Sequence, residues 1–358
     1  MAVRQGIQIS AGESPEPGLV ATSTLDNAIV SSVAAGERRG WARYVLAVLD
    51  EIGPAAENRG ARLAIDSDLP ATGGLSSSSA LSVGCLIALS KLWGLALGPQ
   101  EIVARSMAAE QAAAIAGGAM DQTVITLARP GHALRIEFDP PSHRHIPMPE
   151  EFTWVAGYSG TRAAKAESAA AAYNSFVLAS RAAAALLAEQ LGRTAGDPPL
   201  LSRVGDASPD QIAALPRLSV EAAAAITGGD RLGLDPGETL NLRMSAEHVL
   251  SEAARVDSAE RAVLAADGAE LGRLMNASHA SLRKYGASTE ALDAVVAAAG
   301  EAGAVGARLT GAGFGGWAIA LTSSPNAAAI RDAMKAAGGG PTFIAQPGGG
   351  ALWSLHAR

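Results

Sequence analysis

Three clusters of residues carry side chains and backbone groups able to do chemistry. The first is the run Leu69-Pro70-Ala71-Thr72-Gly73-Gly74-Leu75-Ser76-Ser77-Ser78-Ser79-Ala80. It follows a strand-like segment and opens an apolar helix. Glycines let a backbone approach a ligand closely, and the free N–H groups at a helix N-terminus carry partial positive charge. Together they make a phosphate cradle, to which serine hydroxyls add hydrogen bonds or a hand on Mg²⁺. No Gly-Lys-Ser/Thr follows, so this is not a Walker A loop. The bland alternative is a flexible Gly/Ser linker, but a linker need not stand between a strand and an apolar helix.

The second cluster is Gly118-Ala119-Met120-Asp121-Gln122, downstream of Glu110. A carboxylate beside a phosphate cradle can orient or deprotonate a substrate hydroxyl, and Glu110 on the preceding helix is a candidate metal ligand. Taken alone, Asp121 has a commoner job open to it, capping a helix. The third cluster is Thr310-Gly311-Ala312-Gly313-Phe314-Gly315-Gly316. Its glycine density allows tight packing on another loop or on a nucleotide. A lone match to a glycine pattern is weak evidence, and its apolar flanks also suit a buried turn. The presence of two such loops far apart in one chain strengthens the functional reading.

Other features carry less. His143 and His145 form an HxH in a proline-rich, solvent-exposed stretch without an evident third ligand. Gly157-Tyr158-Ser159-Gly160 falls one residue short of a nucleophile elbow because Thr161 replaces the last glycine. His248 and His279 lie in helical segments and read as satisfied core or surface histidines.

The elements that must position these groups follow from periodicity. Val3 to Ser10 reads as a strand, and residues 11–27 carry turn signals. Trp41, Tyr44, Val45, Val48 and Leu49 have helical spacing, stopped at Gly53-Pro54. A short strand follows at 61–66. Helices are expected from about Ser79 to Trp93 and from Pro99 to about Ile115. Strands are expected at 132–138 and 152–159, and Ala-rich helices over 163–193 and 241–301. Residues 194–240, rich in Pro, Gly and Asp, suggest a mobile connection with a short helix. Two strand-like ends flank the third cluster within 307–322, and a helix at 325–337 and a strand near 351–355 complete the pattern. Helices and strands are mixed without strict alternation, so the class is α+β. A domain boundary is expected near 150–156.

Composition narrows the rest. The chain has 358 residues, 48% of them hydrophobic and 18% charged, which is a globular composition. Its net charge of -7 and the lack of a long basic block exclude nucleic acid as an expected partner. The single cysteine, Cys85, excludes an intrachain disulfide framework and favours a reducing compartment. The longest uncharged stretch, Leu69 to Ser90, is apolar only in its second half, short of the roughly 20 apolar residues a membrane span needs. The first residues lack a signal-peptide layout. A cytoplasmic protein without a membrane partner is expected.

These three clusters, in this order, resemble the GHMP small-molecule kinases, and most closely their galactokinase branch. Pro70 to Ala80 resembles the family's Gly-Leu-Ser-Ser-Ser phosphate loop. GAMDQ at 118–122 resembles the galactokinase GIMDQ, and RLTGAGFGGWAIAL resembles the third family motif, with Trp317 where galactokinases usually have Cys. Trp41-Ala42-Arg43-Tyr44-Val45 is similar to the family's WxxYV helix, and Tyr173-Asn174 sits where a galactokinase tyrosine approaches the sugar. Glu247-His248-Val249 and the run Leu274 to Arg283 are similar to helices of the C-terminal half.

The resemblance implies a two-domain α+β fold, with a ribosomal protein S5 domain 2-like N-terminal domain over residues 1–155 and an α/β-plait C-terminal domain over 156–358. ATP would lie between them and pass its γ-phosphoryl group to a monosaccharide hydroxyl, the product being galactose 1-phosphate for a galactokinase. Asp121 would be the catalytic base or orienter. Gly73, Gly74, Leu75, Ser76, Ser77, Ser78 and Ser79 would bind ATP, and Ser77 or Ser78 with Glu110 would hold Mg²⁺. Asp121, Tyr173, Gly311 and Gly313 would contact the sugar. The assembly expected is a monomer or homodimer. The family's first motif, a GRVNLIGEHTDY-like run, has no counterpart, and MAVRQG resembles a segment that follows it in galactokinases. Met1 is therefore expected to match an internal methionine, with a few tens of residues preceding it; the alternative is a short form without catalysis, a regulator that binds ATP and sugar. Ala113, Ala114 and Gly117 before the second motif, and Lys284 after Ser281-Leu282-Arg283, leave room for a heptose, arabinose or N-acetylhexosamine.

Overall fold

The computed structural model describes residues 1–24, 29–31, 40–70, 74–113, 118–161, 167–205 and 207–352. The chain packs into two compact units, one of Met1–Trp154 with the segment from Phe343 onward, the other of Val155–Thr342.

In the first unit, β1 (Ile7–Ser14) pairs antiparallel with β4 (Gly60–Ser67), from Ile7 opposite Ser67 to Ser14 opposite Gly60. β2 (Gly18–Ser23) runs parallel to β4, and β3 (Ile29–Ser31) runs antiparallel to β2, giving the order β1-β4-β2-β3. Of the turn signals expected over 11–27, residues 11–14 and 18–23 are strand, and 25–27 lie outside the described residues. Leu19 and Ala21 point inward and Val20 outward, a period-two pattern masked by Pro15, Pro17 and Gly18 on its flank. α1 (Ala42–Ile52) buries Tyr44, Val45, Val48 and Ile52 and stops at Gly53, whose φ of +62° suits a residue without Cβ. α2 (Ser77–Leu92), α3 (Pro99–Ala113) and α4 (Met120–Leu127) follow. The core joins Val45 and Val48 of α1, Leu63 and Ile65 of β4 and Leu81, Leu86 and Leu89 of α2.

A hairpin of β5 (His132–Phe138) and β6 (Pro141–Pro147) comes next. β6 escaped the sequence reading because its residues are mostly exposed and polar, leaving no apolar alternation. At the far end of the chain, Gly348 N–H donates to Ala2 O at 2.9 Å and Gly350 N–H to Ala128 O at 2.8 Å. No strand forms at 351–352; the last one lies earlier, at 342–345, and 353–355 fall outside the described residues.

The second unit contains β7 (Thr153–Tyr158) at its entry, then α5 (Glu167–Gln190), α6 (Pro209–Ala213), β8 (Arg217–Ser219), α7 (Val220–Ala225) and β9 (Thr239–Asn241). α8 (Leu242–Leu264), α9 (Gly268–Tyr285) and α10 (Glu290–Glu301) divide the helical stretch 241–301, with Asn241, Asp267 and Thr289 capping their N-termini. β10 (Gly306–Thr310), β11 (Trp317–Thr322) and α11 (Ala327–Gly338) complete it; β12 (Thr342–Ala345) starts at its last residue, and the sheet order is β10-β11-β7-β12.

Residues 194–240 are an ordered part of this unit, which corrects the mobile connection expected there. Leu201, Val204, Leu215, Val220, Leu234 and Leu240 insert into the core made by Leu178, Ala182, Ala183 and Leu187 of α5 and Leu242 and Ala246 of α8. By length and composition Ala171–Gln190 could cross a membrane; here those α5 side chains form the core instead.

Trp317, fully buried, is among the largest side chains of the second unit's interior. Trp317→Ala should lower unfolding stability by about 3–5 kcal/mol, through lost transfer energy and the cavity left behind. Denaturant titration measures it; a loss under about 1 kcal/mol would mean that the neighbouring strands collapse into the space.

Candidate active site

The first unit gathers the phosphate-loop and acidic residues. Buried Leu81, Val83, Cys85, Leu86 and Leu89 fix α2 in the core, so its first turn has a defined position. Before that turn, Gly74 has φ +94° and Ser76 φ +57°, both left-handed. For Ser76 that conformation costs about 1–2 kcal/mol, and its surroundings must hold it there. One influence is its neighbour Asp121, whose carboxyl the Ser76 side chain reaches electrostatically.

Glu110, near the end of α3, ties two helix starts together. One carboxylate oxygen accepts from Ser78 Oγ at 2.5 Å; the other accepts from Ser79 Oγ and from Gln122 Nε2, each at 2.6 Å. Gln122 is buried and adjacent to Asp121 in the first turn of α4. The N-cap of α4 is Ala119, without a side-chain cap, so Asp121 does not do the capping job open to it. Burial pushes the Asp121 carboxyl above the usual carboxylate range. The Ser76 hydroxyl works against that shift, the negative charge of Glu110 adds to it, and the Met1 amino group opposes it. A carboxyl with a raised pKa is a better proton acceptor, as a general base requires.

Of the residues singled out from sequence, Ser76, Ser78, Ser79, Glu110 and Asp121 are thus brought together. Gly74, Leu75 and Ser77 are their chain neighbours, and Gly73 lies outside the described residues. Ser79 is 2% exposed, its hydroxyl committed to Glu110. Gln122 was part of a motif but had no assigned role; its amide is what couples the acid-bearing helix to Glu110.

Tyr173, Gly311 and Gly313 belong to the second unit. Tyr173 is half-buried on α5. Gly311 and Gly313 have φ of +79° and +84°, and a Cβ on Gly313 would collide with Ala287 O. Both glycines are therefore required by backbone geometry. The weaker features resolve structurally. His143 is exposed on β6, while His145 is half-buried with Nε2 2.7 Å from Leu127 O. Ser159 is buried at the end of β7, its Oγ 3.0 Å from Thr161 Oγ1, with no histidine in that bond. His279 meets Asp293 at 3.2 Å, and His248 Nδ1 meets Ser281 Oγ at 2.9 Å.

The raised Asp121 pKa has a stability consequence with a definite sign. Ionising this carboxyl is harder in the folded chain than in the unfolded one, so its contribution to stability is full at low pH and is lost as pH rises through the folded value. Asp121→Asn should therefore raise Tm at pH 8 by a few degrees, with the gain shrinking toward about pH 4. Thermal melts across that range test it, and a gain constant with pH would contradict it.

The comparisons with known proteins match this arrangement. The family model for the GHMP kinases N terminal domain matches residues 42–129, spanning α1 to α4, and that for the GHMP kinases C terminal matches 259–340. A galactokinase of Chloroflexus aurantiacus is 33% identical over 85% of this chain and 72% of its own length, and one of Pyrococcus furiosus is 29% identical over 87% and 77%. The crystal structure of Lactococcus lactis galactokinase complexed with galactose superposes with a TM-score of 0.76 at 26% identity, covering 97% of this chain and 87% of that one. The crystal structure of L. major mevalonate kinase in complex with R-mevalonate shares the fold, with a TM-score of 0.59 at 19% identity and 96% and 87% covered. The chain belongs to the GHMP kinase family and is galactokinase-like within it.

Proposed function

We propose that this ATP-dependent sugar kinase phosphorylates galactose, with Asp121 as the group that receives or orients the acceptor proton. The observation that carries the reading is Asp121 itself: half-buried, raised in pKa and within electrostatic reach of the serine that precedes α2. In the reaction the sugar O–H proton moves to the Asp121 carboxylate, the oxygen forms a bond to the γ-phosphorus, and the bond from that phosphorus to the bridging β,γ-oxygen breaks to release ADP. The phosphate groups of ATP would be bound by the backbone and hydroxyls of Gly73 to Ser79, at the positive end of α2. Tyr173, Gly311 and Gly313 would contact the acceptor. The two family domains would divide near residue 155.

The donor set also suits Mg²⁺, which prefers hard oxygen ligands and is commonly held by one or two carboxylates plus the substrate's phosphates. The Ser78 hydroxyl and Glu110 carboxylate are already in contact, and Gln122 Oε1 is a buried acceptor without a partner among the described residues. Among those residues, no cluster of three or more His, Cys, Asp or Glu is arranged to hold a metal unaided, consistent with an ion that arrives with the nucleotide. Ser77, Ser78 and Glu110 would hold it. When bound, it neutralises charge on the transferring phosphoryl group.

The test is sugar-dependent ADP release with Mg·ATP across galactose and a panel of other hexoses, N-acetylhexosamines, pentoses and heptoses. Galactose should give the highest kcat/KM. Asp121→Asn should lower kcat by about 10²–10⁴-fold while leaving ATP binding intact; near wild-type turnover would remove Asp121 from its role. Ser78→Ala should raise the KM for Mg·ATP more than that for the sugar. Silence of the wild type with every sugar would favour a binding protein over an enzyme.

A further inference from the structure

We infer that four stacked rings in the second unit, from Phe314, Phe176, Tyr285 and His248, position the glycine-rich loop 311–316 against the helix that carries Tyr173, making Phe176 and Tyr285 positioning residues for acceptor binding. This rests on the proposed contacts of Tyr173, Gly311 and Gly313 with the sugar. Adjacent rings are separated by 5.9 Å for Phe314 and Phe176, 4.0 Å for Phe176 and Tyr285, and 4.1 Å for Tyr285 and His248, with interplanar angles of 19°, 22° and 18°. The rings come from a loop and three helices: Phe314 from the glycine loop, Phe176 from α5, Tyr285 from the last residue of α9 and His248 from α8.

The loop needs such support. Phe314 has φ +60°, a left-handed conformation that a bulky residue adopts only when its surroundings impose it. Two contacts on one segment impose it. Phe314 N–H donates to Ala287 O at 2.8 Å, and Gly313 lies so close to the same carbonyl that no Cβ would fit. Gly286, at φ +85°, ends α9 and turns the chain so that Ala287 can offer that oxygen. The ring of Phe314 then reaches Phe176, three residues after Tyr173 on α5 and so on the same helix face. Tyr173 is also within electrostatic reach of Tyr285. One stack therefore touches both elements proposed to meet the acceptor.

The far end of the stack is not backed by a solid core. His248 and Tyr285 line a cavity of about 860 Å³ together with Ser281 and Lys284. A hydrogen bond fixes the last ring instead, His248 Nδ1 lying 2.9 Å from Ser281 Oγ. The stack is thus anchored at its His248 end and supports a strained loop at the other.

The experiment compares Phe176→Leu, Tyr285→Leu and Tyr285→Phe with the wild type by two readouts. One is steady-state kinetics with sugar and ATP varied separately; the other is amide hydrogen exchange at Phe314. Each leucine variant should raise the KM for sugar about tenfold, against a small change for ATP, and speed Phe314 exchange by a similar factor, as expected for losing two ring contacts. Tyr285→Phe keeps the ring and should stay within about twofold of wild type by both readouts. Leucine variants with wild-type sugar KM and wild-type exchange would overturn the inference. So would Tyr285→Phe behaving like Tyr285→Leu, which would assign the effect to the hydroxyl. If Tyr285→Leu does not fold, Phe176→Leu carries the test. A wild type silent with all sugars would overturn the functional reading alone, because the exchange measurement still decides whether the rings hold the loop.

Discussion

The arrangement of the first unit depends on one carboxylate. Glu110 accepts hydrogen bonds from Ser78, Ser79 and Gln122, so the start of α2 and the start of α4 cannot move independently. Hydrogen bonds to a charged group contribute about 1.5–3 kcal/mol each, and removing the acceptor leaves buried donors unsatisfied. The carboxylate can hold this position because α2 is packed through Leu81, Leu86 and Leu89 and α3 through Ser106 and Ala109. Its consequence is geometric. The serine loop and Asp121 are held in one frame before any substrate binds, which is the pre-organisation that phosphoryl transfer relies on.

That frame is maintained against local cost. Asp121 carries a carboxyl that burial disfavours ionising, and Ser76 beside it adopts a backbone conformation suited to glycine. Either residue would be more stable in another setting. The Ser76 hydroxyl offsets part of this, lowering the Asp121 pKa back toward the ordinary range. A strained backbone beside a perturbed acid is the local cost that a site trading stability for reactivity would carry.

The sequence made legible what periodicity and spacing can encode. The serine loop between β4 and an apolar helix, Asp121 behind its glycines and the glycine run before β11 all follow from residue type and order. What stayed hidden has physical reasons. In residues 194–240 the apolar side chains enter the core singly, from a short helix, a turn or a three-residue strand, so no helical or alternating period exists to detect. β6 presents histidines and arginine to solvent on a hairpin and hides only Ile146. The role of Gln122 depends on Glu110 in a different helix, and the coupling of Phe176 to Tyr285 joins helices about a hundred residues apart in sequence. Neither contact has a local signature.

Ring usage across the chain argues that the stack answers a local demand. Aromatic residues make up only 4% of the sequence. The large core around α5 and α8 is built from alanine, leucine and valine, whose small side chains let helices approach closely without rings. Yet of the five phenylalanines and four tyrosines, Phe176, Tyr285 and Phe314 form one stack that reaches the glycine loop. The core around α5 and α8 shows that aliphatic residues can pack these helices without rings. A left-handed Phe314 does require a flat, rigid partner that fixes both position and orientation, which branched aliphatics supply poorly and stacked rings supply well. Aromatic side chains are sparse in this protein, and three of them, Phe176, Tyr285 and Phe314, stand where a backbone must be held in a conformation it would otherwise leave.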